Sequence, residues 1–186
     1  MENRQPRLER AEEAVQAIIA AATNELLEEG LESVTHRRIA ERANANLRST
    51  TYYFKSVKAL RREALKVAFA LSNRSREAEL ANLATKKASD VVDLLLLITY
   101  GTDYSLKKLA TTQQNVLMAS TDADFSDLMQ QLQGDVEKSV EQLFSHFKIE
   151  IPAHRAIASV DGRIFEHVLS GGKTNIKDLL SEDLGL

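Results

Sequence analysis

Apolar residues recur every three or four positions along most of the chain, the period of helices that bury one side. From Glu9 to Glu29 one stripe holds Ala11, Val15, Ile18, Ile19, Ala22 and Leu26, and Gly30 supplies a C-cap. Thr35 is placed to cap a short helix reaching Ala43, with Ile39, Ala40 and Ala43 on one face and Arg37, Arg38 and Arg42 on the other. Asn44-Ala45-Asn46 then reads as a tight turn, because the first Asn tolerates a left-handed conformation and the second caps a helix over Leu47 to Tyr53. Ser56 caps a long fourth helix from Val57 toward Lys87, with Leu60, Ala64, Val67, Ala68 and Leu71 inward. Further helices are predicted over Asp90 to Tyr100, Ser105 to Ser120, Phe125 to Phe147 and Ala153 to Leu169. Gly101, an acidic turn at Asp122 to Asp124, Pro152 and Gly171-Gly172 separate them, and a last amphipathic segment covers Ile176 to Leu184.

Composition points the same way. Only two prolines and seven glycines interrupt 186 residues rich in Ala, Leu, Glu, Lys and Arg, so an all-α fold is expected. The absence of cysteine removes disulfides, thiolate zinc sites and iron–sulfur clusters, and fits a reducing cytosol. The longest apolar run, Val91 to Ile98 with Asp93 inside it, falls well short of the roughly 20 residues a membrane span needs, and the charged N-terminus does not read as a signal peptide. A soluble, cytoplasmic protein without a membrane partner is expected.

The net charge of −3 gives no bulk affinity for nucleic acid, but charge is unevenly placed. From Ser33 to Arg62 there are eight cations (Arg37, Arg38, Arg42, Arg48, Lys55, Lys58, Arg61, Arg62) against one anion, Glu41, a local balance of +7. From Ala119 onward twelve Asp and Glu face six Lys and Arg. One end of the molecule is suited to a polyanion and the other is not.

Two short helices separated by a three-residue turn and preceded by a longer helix form the pattern of a helix-turn-helix. The second short helix must enter a major groove about 12 Å wide, so its outer face needs groups that donate to or stack on bases and phosphates. Leu47, Arg48, Ser49, Thr51, Tyr52 and Tyr53 supply that face. The run from Leu26 through Gly30 and Thr35 to Ala43, followed by Thr50-Thr51-Tyr52-Tyr53-Phe54-Lys55-Ser56 and Leu60, resembles the DNA-binding domain of TetR-family transcriptional regulators over roughly residues 15–65. The specificity lies in the conjunction of a glycine-ended helix, a Thr-capped basic helix and an aromatic-aromatic-Phe-Lys-Ser exit. The family usually has Gly where Asn44 stands, and often a small and an apolar residue at Arg48 and Thr50.

By position, the resemblance implies phosphate contacts from Thr35, His36, Arg37, Tyr52, Lys55 and Lys58, base readout from Arg48, Ser49, Thr51 and Tyr53, and contact of Leu47 with a thymine methyl. Arg48 is the main expected reader, because arginine donates bidentately to guanine. Of the two tyrosines, one is expected to pack and the other to reach phosphate. Arg4, Arg7 and Arg10 form a basic arm ahead of the first helix, either lying on DNA or serving as a solubilising tail.

The implied organisation is a helix-turn-helix DNA-binding domain, residues 1–56, and a helical ligand-binding and dimerisation domain, residues 57–186. One recognition helix binds weakly, so a homodimer on palindromic double-stranded operator DNA is expected. The family joins its last two long helices into a bundle between subunits, which places the interface at Leu132, Val136, Val140, Ile157, Val160, Gly162, Ile164, Phe165 and Val168. The resemblance also implies a small-molecule cavity, with Phe69, Tyr100, Tyr104, Gln114, Leu117, Met118 and Phe125 as its expected lining, whose occupation moves the fourth helix.

Without a Gly-rich phosphate loop, a nucleophile elbow or an HExxH motif, neither an enzyme nor a cofactor is predicted. His146, His154 and His167 lack the spacing and the cysteine partners of a zinc site, so no metal is expected, and His167 is expected to make a hydrogen bond at a surface or interface. The expectation is therefore a ligand-responsive repressor with an unidentified effector. A DNA-binding regulator without an inducer and a helical protein-protein adaptor are the alternatives, the adaptor leaving the +7 segment unexplained.

Overall fold

The computed structural model describes residues 5–186, which fold as helices joined by short turns, with no strand among the described residues. Helix α1, Gln5–Glu29, buries Ile18, Ala22 and Leu26 at fourfold spacing and stops at Gly30, whose φ of 96° is open to glycine and strained for other residues. It begins four residues earlier than its apolar stripe indicated. Of the expected basic arm, Arg4 lies outside the described residues, while Arg7 and Arg10 fall inside α1.

Helix α2, His36–Arg42, starts where the Thr35 hydroxyl accepts the Arg38 backbone N–H at 3.3 Å. Asn44 takes the left-handed conformation at φ 49°, and the Asn46 side chain accepts the Arg48 N–H at 2.8 Å to start α3, Leu47–Tyr53. Ser56 caps α4, Val57–Ala81, by accepting the Ala59 N–H at 3.1 Å.

Helix α4 ends six residues short of Lys87. The Asn82 side chain donates to the Ala78 carbonyl and the Thr85 hydroxyl to the Asn82 carbonyl, so local side-chain bonds compete with the helical ladder. Two 3-10 turns, Leu83–Thr85 and Ala88–Asp90, follow and bury Leu83. The body then consists of α5 (Val91–Tyr100), α6 (Leu106–Thr121), α7 (Ser126–Phe147), α8 (Ala153–Leu169) and α9 (Ile176–Leu184).

Two apolar cores result. One, with Ile18, Leu26, Ile39, Phe54 and Leu60, lies beneath the first three helices; Ala119, Phe125 and Leu128 of the body close it. The other, with Leu95, Ile98, Leu143, Val160, Ile164 and Leu180, holds α5 and α7 to α9 together. Helix α4 runs from the first core, through Leu60, Ala64 and Leu65, to the second at Leu80. No helix among the described residues is long and apolar enough to cross a membrane.

Candidate nucleic-acid interface and the cavity behind it

Helices α2 and α3, seven residues each, pack on each other, and α2 packs on α1, leaving one side of α3 open to solvent. Leu47, Arg48, Thr51 and Tyr52 are exposed there, Tyr52 to 67%, while Ser49 is half-buried. Thr50 is fully buried and its hydroxyl donates to the Leu47 carbonyl at 2.8 Å, which fixes the register of α3 and turns its neighbours outward. The Thr51 hydroxyl donates back to the carbonyls of Leu47 and Arg48. Tyr53 packs against the first core, and Tyr52 stands edge-on to it with ring centroids 5.2 Å apart. The Lys55 ammonium lies 4.9 Å from the Tyr52 ring centroid, a cation–π contact that holds both at the exit of α3.

The basic run is largely occupied within the protein. Glu25, buried in α1, pairs with Arg38 at 2.7 Å and Arg42 at 3.0 Å, and Arg42 also reaches Glu28 at 2.6 Å. Arg61 donates to the carbonyls of Val34 and Glu32. Arg37 is exposed and, among the described residues, pairs only with Glu41, one turn along, at 3.3 Å. Arg48 and Lys55 are the two cations of the eight that have neither a carboxylate nor a carbonyl partner among the described residues. His36 starts α2 half-buried; its Nδ1 has no hydrogen-bond partner, and burial lowers its pKa, which favours the neutral ring.

Lys58 faces the body instead of the open side of α3. Its ammonium pairs with Asp122 at 3.1 Å and Asp124 at 2.6 Å in the turn between α6 and α7, and one turn later Arg62 forks onto Asp127. The Arg62 hydrogen bonds hold the Asp127 carboxyl down at about 2. A second seam joins α6 to the end of α1. The Asn115 side chain accepts the Leu31 N–H at 2.7 Å and donates to the Leu26 carbonyl at 3.1 Å, and the Lys108 ammonium donates to the Leu27 carbonyl at 2.9 Å. The Leu31 N–H thus goes to Asn115 and not to the Leu27 carbonyl, which Lys108 satisfies, while the Leu26 carbonyl accepts both Asn115 and the Gly30 N–H.

Between the two cores, a cavity of about 300 Å³ opens among α1, α4, α5, α6 and α7. Of the residues named from the sequence as a cavity lining, Phe69 and Tyr100 border this one. The other five expected lining residues lie elsewhere. Tyr104 borders a separate depression beside His167, Gln114 and Leu117 are exposed on α6, and Met118 and Phe125 pack in the first core. Sequence reasoning missed Arg76, Lys108 and Asn115, all of which face the cavity. The available signal was Arg76 itself, four residues from Leu80 and from Ser72 on the inward side of α4, where an uncharged residue fits the pattern.

The expected dimer residues also divide. Leu132 and Val136 line the cavity; Val140, Val160 and Ile164 are sealed in the second core of a single subunit, because α7 and α8 pack on each other and on α5. Ile157 and Val168 are half-buried against the same core. Gly162 and Phe165 remain on the surface, joined by Leu169, the two apolar side chains being 56% and 71% exposed. His167 makes its hydrogen bond within the chain, its Nδ1 lying 2.9 Å from the Thr174 carbonyl oxygen, and no cluster of metal-ligating side chains exists among the described residues.

A capped helix-turn-helix with an open second helix, the arrangement of a DNA-binding motif, is thus mounted on a larger helical body beside a cavity. Residues 18–64 match the family described as bacterial regulatory proteins, tetR family, and the chain carries a TetR-family helix-turn-helix domain there. No curated protein matches the sequence. Solved structures share the fold over nearly the whole chain. The multidrug binding protein EbrR complexed with ethidium is 20% identical, with a TM-score of 0.66 over 93% of this chain and 96% of that one. A putative transcriptional regulator from Rhodococcus sp. RHA1 is 19% identical, with a TM-score of 0.65 over 92% and 94%. The putative transcriptional regulator SCO7518 from Streptomyces coelicolor A3(2) is 22% identical, with a TM-score of 0.56 over 93% and 99%. The fold shared with these structures is an N-terminal helix-turn-helix domain, the part that matches the tetR family, followed by a helical body.

Proposed function

We propose that this chain is a ligand-responsive transcriptional repressor that binds palindromic operator DNA as a homodimer. The observation that carries the reading is the state of its cations: five of the eight in the basic run are tied into the protein framework, whereas Arg48 and Lys55 are left free on and beside the one helix shaped for a groove. An unpaired surface cation is well solvated and available to a phosphate or a guanine edge. Arg48, Ser49 and Thr51 form the base-reading face, with Leu47 at its start, and Thr35, His36, Arg37, Tyr52 and Lys55 flank it toward the phosphates. Lys58 serves as a latch to the body.

Division of the chain into a DNA-binding part, residues 1–56, and a ligand-binding and dimerising part, residues 57–186, follows the same reading. The dimer surface centres on Phe165 and Leu169 of α8, with Gly162 leaving room for a partner helix. The cavity is the effector site: Lys108 and Asn115 line it and also hold the end of α1, so an occupant that pulls on either changes how α1 carries the helix-turn-helix. The ethidium complex of EbrR supports a body of this fold holding a small molecule.

The deciding experiment is fluorescence anisotropy with the DNA upstream of the protein's own gene against a random duplex of equal length, over a range of salt. Preference for the upstream fragment, with affinity falling steeply as salt rises, is expected. Equal binding to both, or none, overturns the regulator reading. A reporter driven by that fragment, silenced by the wild-type protein and active with Arg48→Ala, tests the sign of regulation. Phe165→Glu should convert the dimer into monomers in analytical ultracentrifugation and weaken DNA binding with it.

A further inference from the structure

We infer that the effector of this protein is an apolar organic anion, bound with its acidic head on Arg76 and its body against the apolar wall of the cavity. The inference rests on the reading of the cavity as an effector site and adds the ligand's charge.

Arg76 is only 3% exposed and lines the cavity, and both of its recorded partners are neutral: Nη1 donates to the Ser72 hydroxyl at 2.9 Å, and Nη2 to the Asn73 side-chain oxygen. No carboxylate among the described residues comes within ion-pairing distance of it. A guanidinium stays protonated at physiological pH, so folding buries a positive charge that no carboxylate touches, Asp135 and Glu77 acting on it only from beyond ion-pairing distance. The second cation on the cavity wall is Lys108, whose ammonium is held, among the described residues, by the Leu27 carbonyl alone.

Among the described residues, no Asp or Glu lines the cavity. The carboxylates nearest by bonding stand behind its wall. Asp135 accepts the Asn73 side-chain N–H at 2.9 Å, and Asp161 accepts the Tyr100 hydroxyl at 3.0 Å. Asp135 therefore moderates the Arg76 charge through one intervening residue and leaves the guanidinium's cavity side without an anion. The rest of the lining is mainly apolar, including Leu65, Phe69, Met129 and Leu132, with Thr99, Thr112 and Asn115 as neutral polar groups. A carboxylate on an aliphatic or aromatic body satisfies both halves of such a site, because the fork of Arg76 donates to two oxygens at once while the body displaces water from the wall. A cation brought there meets Arg76 and Lys108 and finds no acid. The predicted preference is opposite in charge to ethidium, the cation held by EbrR.

The test uses matched probes that differ only in the head group: decanoate against decylammonium, and 1-naphthoate against 1-naphthylmethylammonium. Binding to the full-length protein is followed by thermal shift and calorimetry. At least one anion is expected to bind at least about tenfold tighter than its cationic counterpart, the factor supplied by one charge-assisted hydrogen bond. In Arg76→Met, which keeps an unbranched apolar stem without the guanidinium, that preference should fall to what Lys108 alone supplies; Arg76→Lys should retain more of it. Circular dichroism shows whether each variant folds, and if Arg76→Met does not fold, the loss of preference is read in Arg76→Leu. Equal or tighter binding of the cations, an anion preference unchanged in the Arg76 variants, or binding of none of the four probes overturns the inference. DNA binding measured without probe separates the two readings: selective DNA binding that persists when no probe binds leaves the regulator standing and removes only the ligand chemistry.

Discussion

Arg48 and Arg76 are both arginines without a carboxylate partner, placed in opposite surroundings. Arg48 stands in water at the start of the recognition helix, where solvent and salt screen it and the unpaired state carries little penalty. Arg76 lies at the cavity wall between two apolar cores, where the same charge is desolvated and burial lowers the pKa of the guanidinium. On the proposed reading, the exposed free cation serves a polyanion and answers to salt. A buried free cation marks a site that is incomplete until something negative enters it.

The largest effect should come at the exposed end. On the proposed reading, Arg48→Ala removes one base contact in each half-site, and each such contact discriminates by about 1–3 kcal/mol, so a dimer should lose operator affinity by roughly twice that. Random DNA should lose far less. Equal losses on both duplexes would make Arg48 a phosphate anchor and erase its contrast with the paired arginines around it.

A slightly smaller effect, on stability instead of binding, is expected at Glu25. Removing this buried acid takes the carboxylate partner from Arg38 and leaves Arg42 with Glu28 alone, and Glu25→Ala should destabilise the protein by about 2 kcal/mol in urea titration. A change below about 1 kcal/mol would show that the pairs contribute no more than surface ion pairs do.

Arg76→Met should behave in the reverse sense. Replacing an unmatched buried charge with an unbranched apolar side chain should leave stability unchanged or raise it by about 1–2 kcal/mol. A marked loss of stability would mean that Arg76 is structurally satisfied, and the comparison with Arg48 would fail.

At Lys58 the expected change is small. Lys58→Ala should alter stability by less than about 1 kcal/mol and leave the salt dependence of DNA binding unchanged, because its ammonium is engaged by Asp122 and Asp124. A salt slope lower by about one per half-site would return Lys58 to the phosphate-binding set implied by the sequence.

The same seam has a pH signature. Folding depresses the Asp127 carboxyl from an ordinary 3.8 to about 2, through the hydrogen bonds from Arg62, and lowers Asp122 through the Asp124 backbone N–H and then Lys58. Carboxylates lowered in this way stabilise the fold above their ordinary pKa and lose that contribution as pH falls through the depressed value. The link between α4 and the body should therefore be intact at pH 4 and open toward pH 2. An NMR titration midpoint of Asp127 near its ordinary value would show the pair to be open in solution.

Local chemistry made much of the DNA-binding end legible. Thr35, Asn44, Asn46 and Ser56 are capping and turn residues whose preferences act over three or four positions, and each performs the predicted role. The bounds of α3, α8 and α9 followed from the same short-range rules. Where two local preferences competed, as at Asn82 and Thr85 against continued helix, the apolar period alone overran the end of α4.

Which surfaces meet was decided only when the chain folded. An amphipathic stripe announces that a helix buries one side, and Val140, Val160 and Ile164 would look the same in sequence whether that side met a second subunit or, as here, a neighbouring helix of their own. The number of cations between Ser33 and Arg62 was fixed by the chain; which of them remain free was fixed by Glu25, Asp122, Asp124 and Asp127 arriving from distant positions. Periodicity and capping act between residues a few bonds apart, whereas pairing and enclosure depend on groups that only packing brings within a few ångströms. That is why the helix-turn-helix could be read along the chain, and the cavity with its unmatched Arg76 could not.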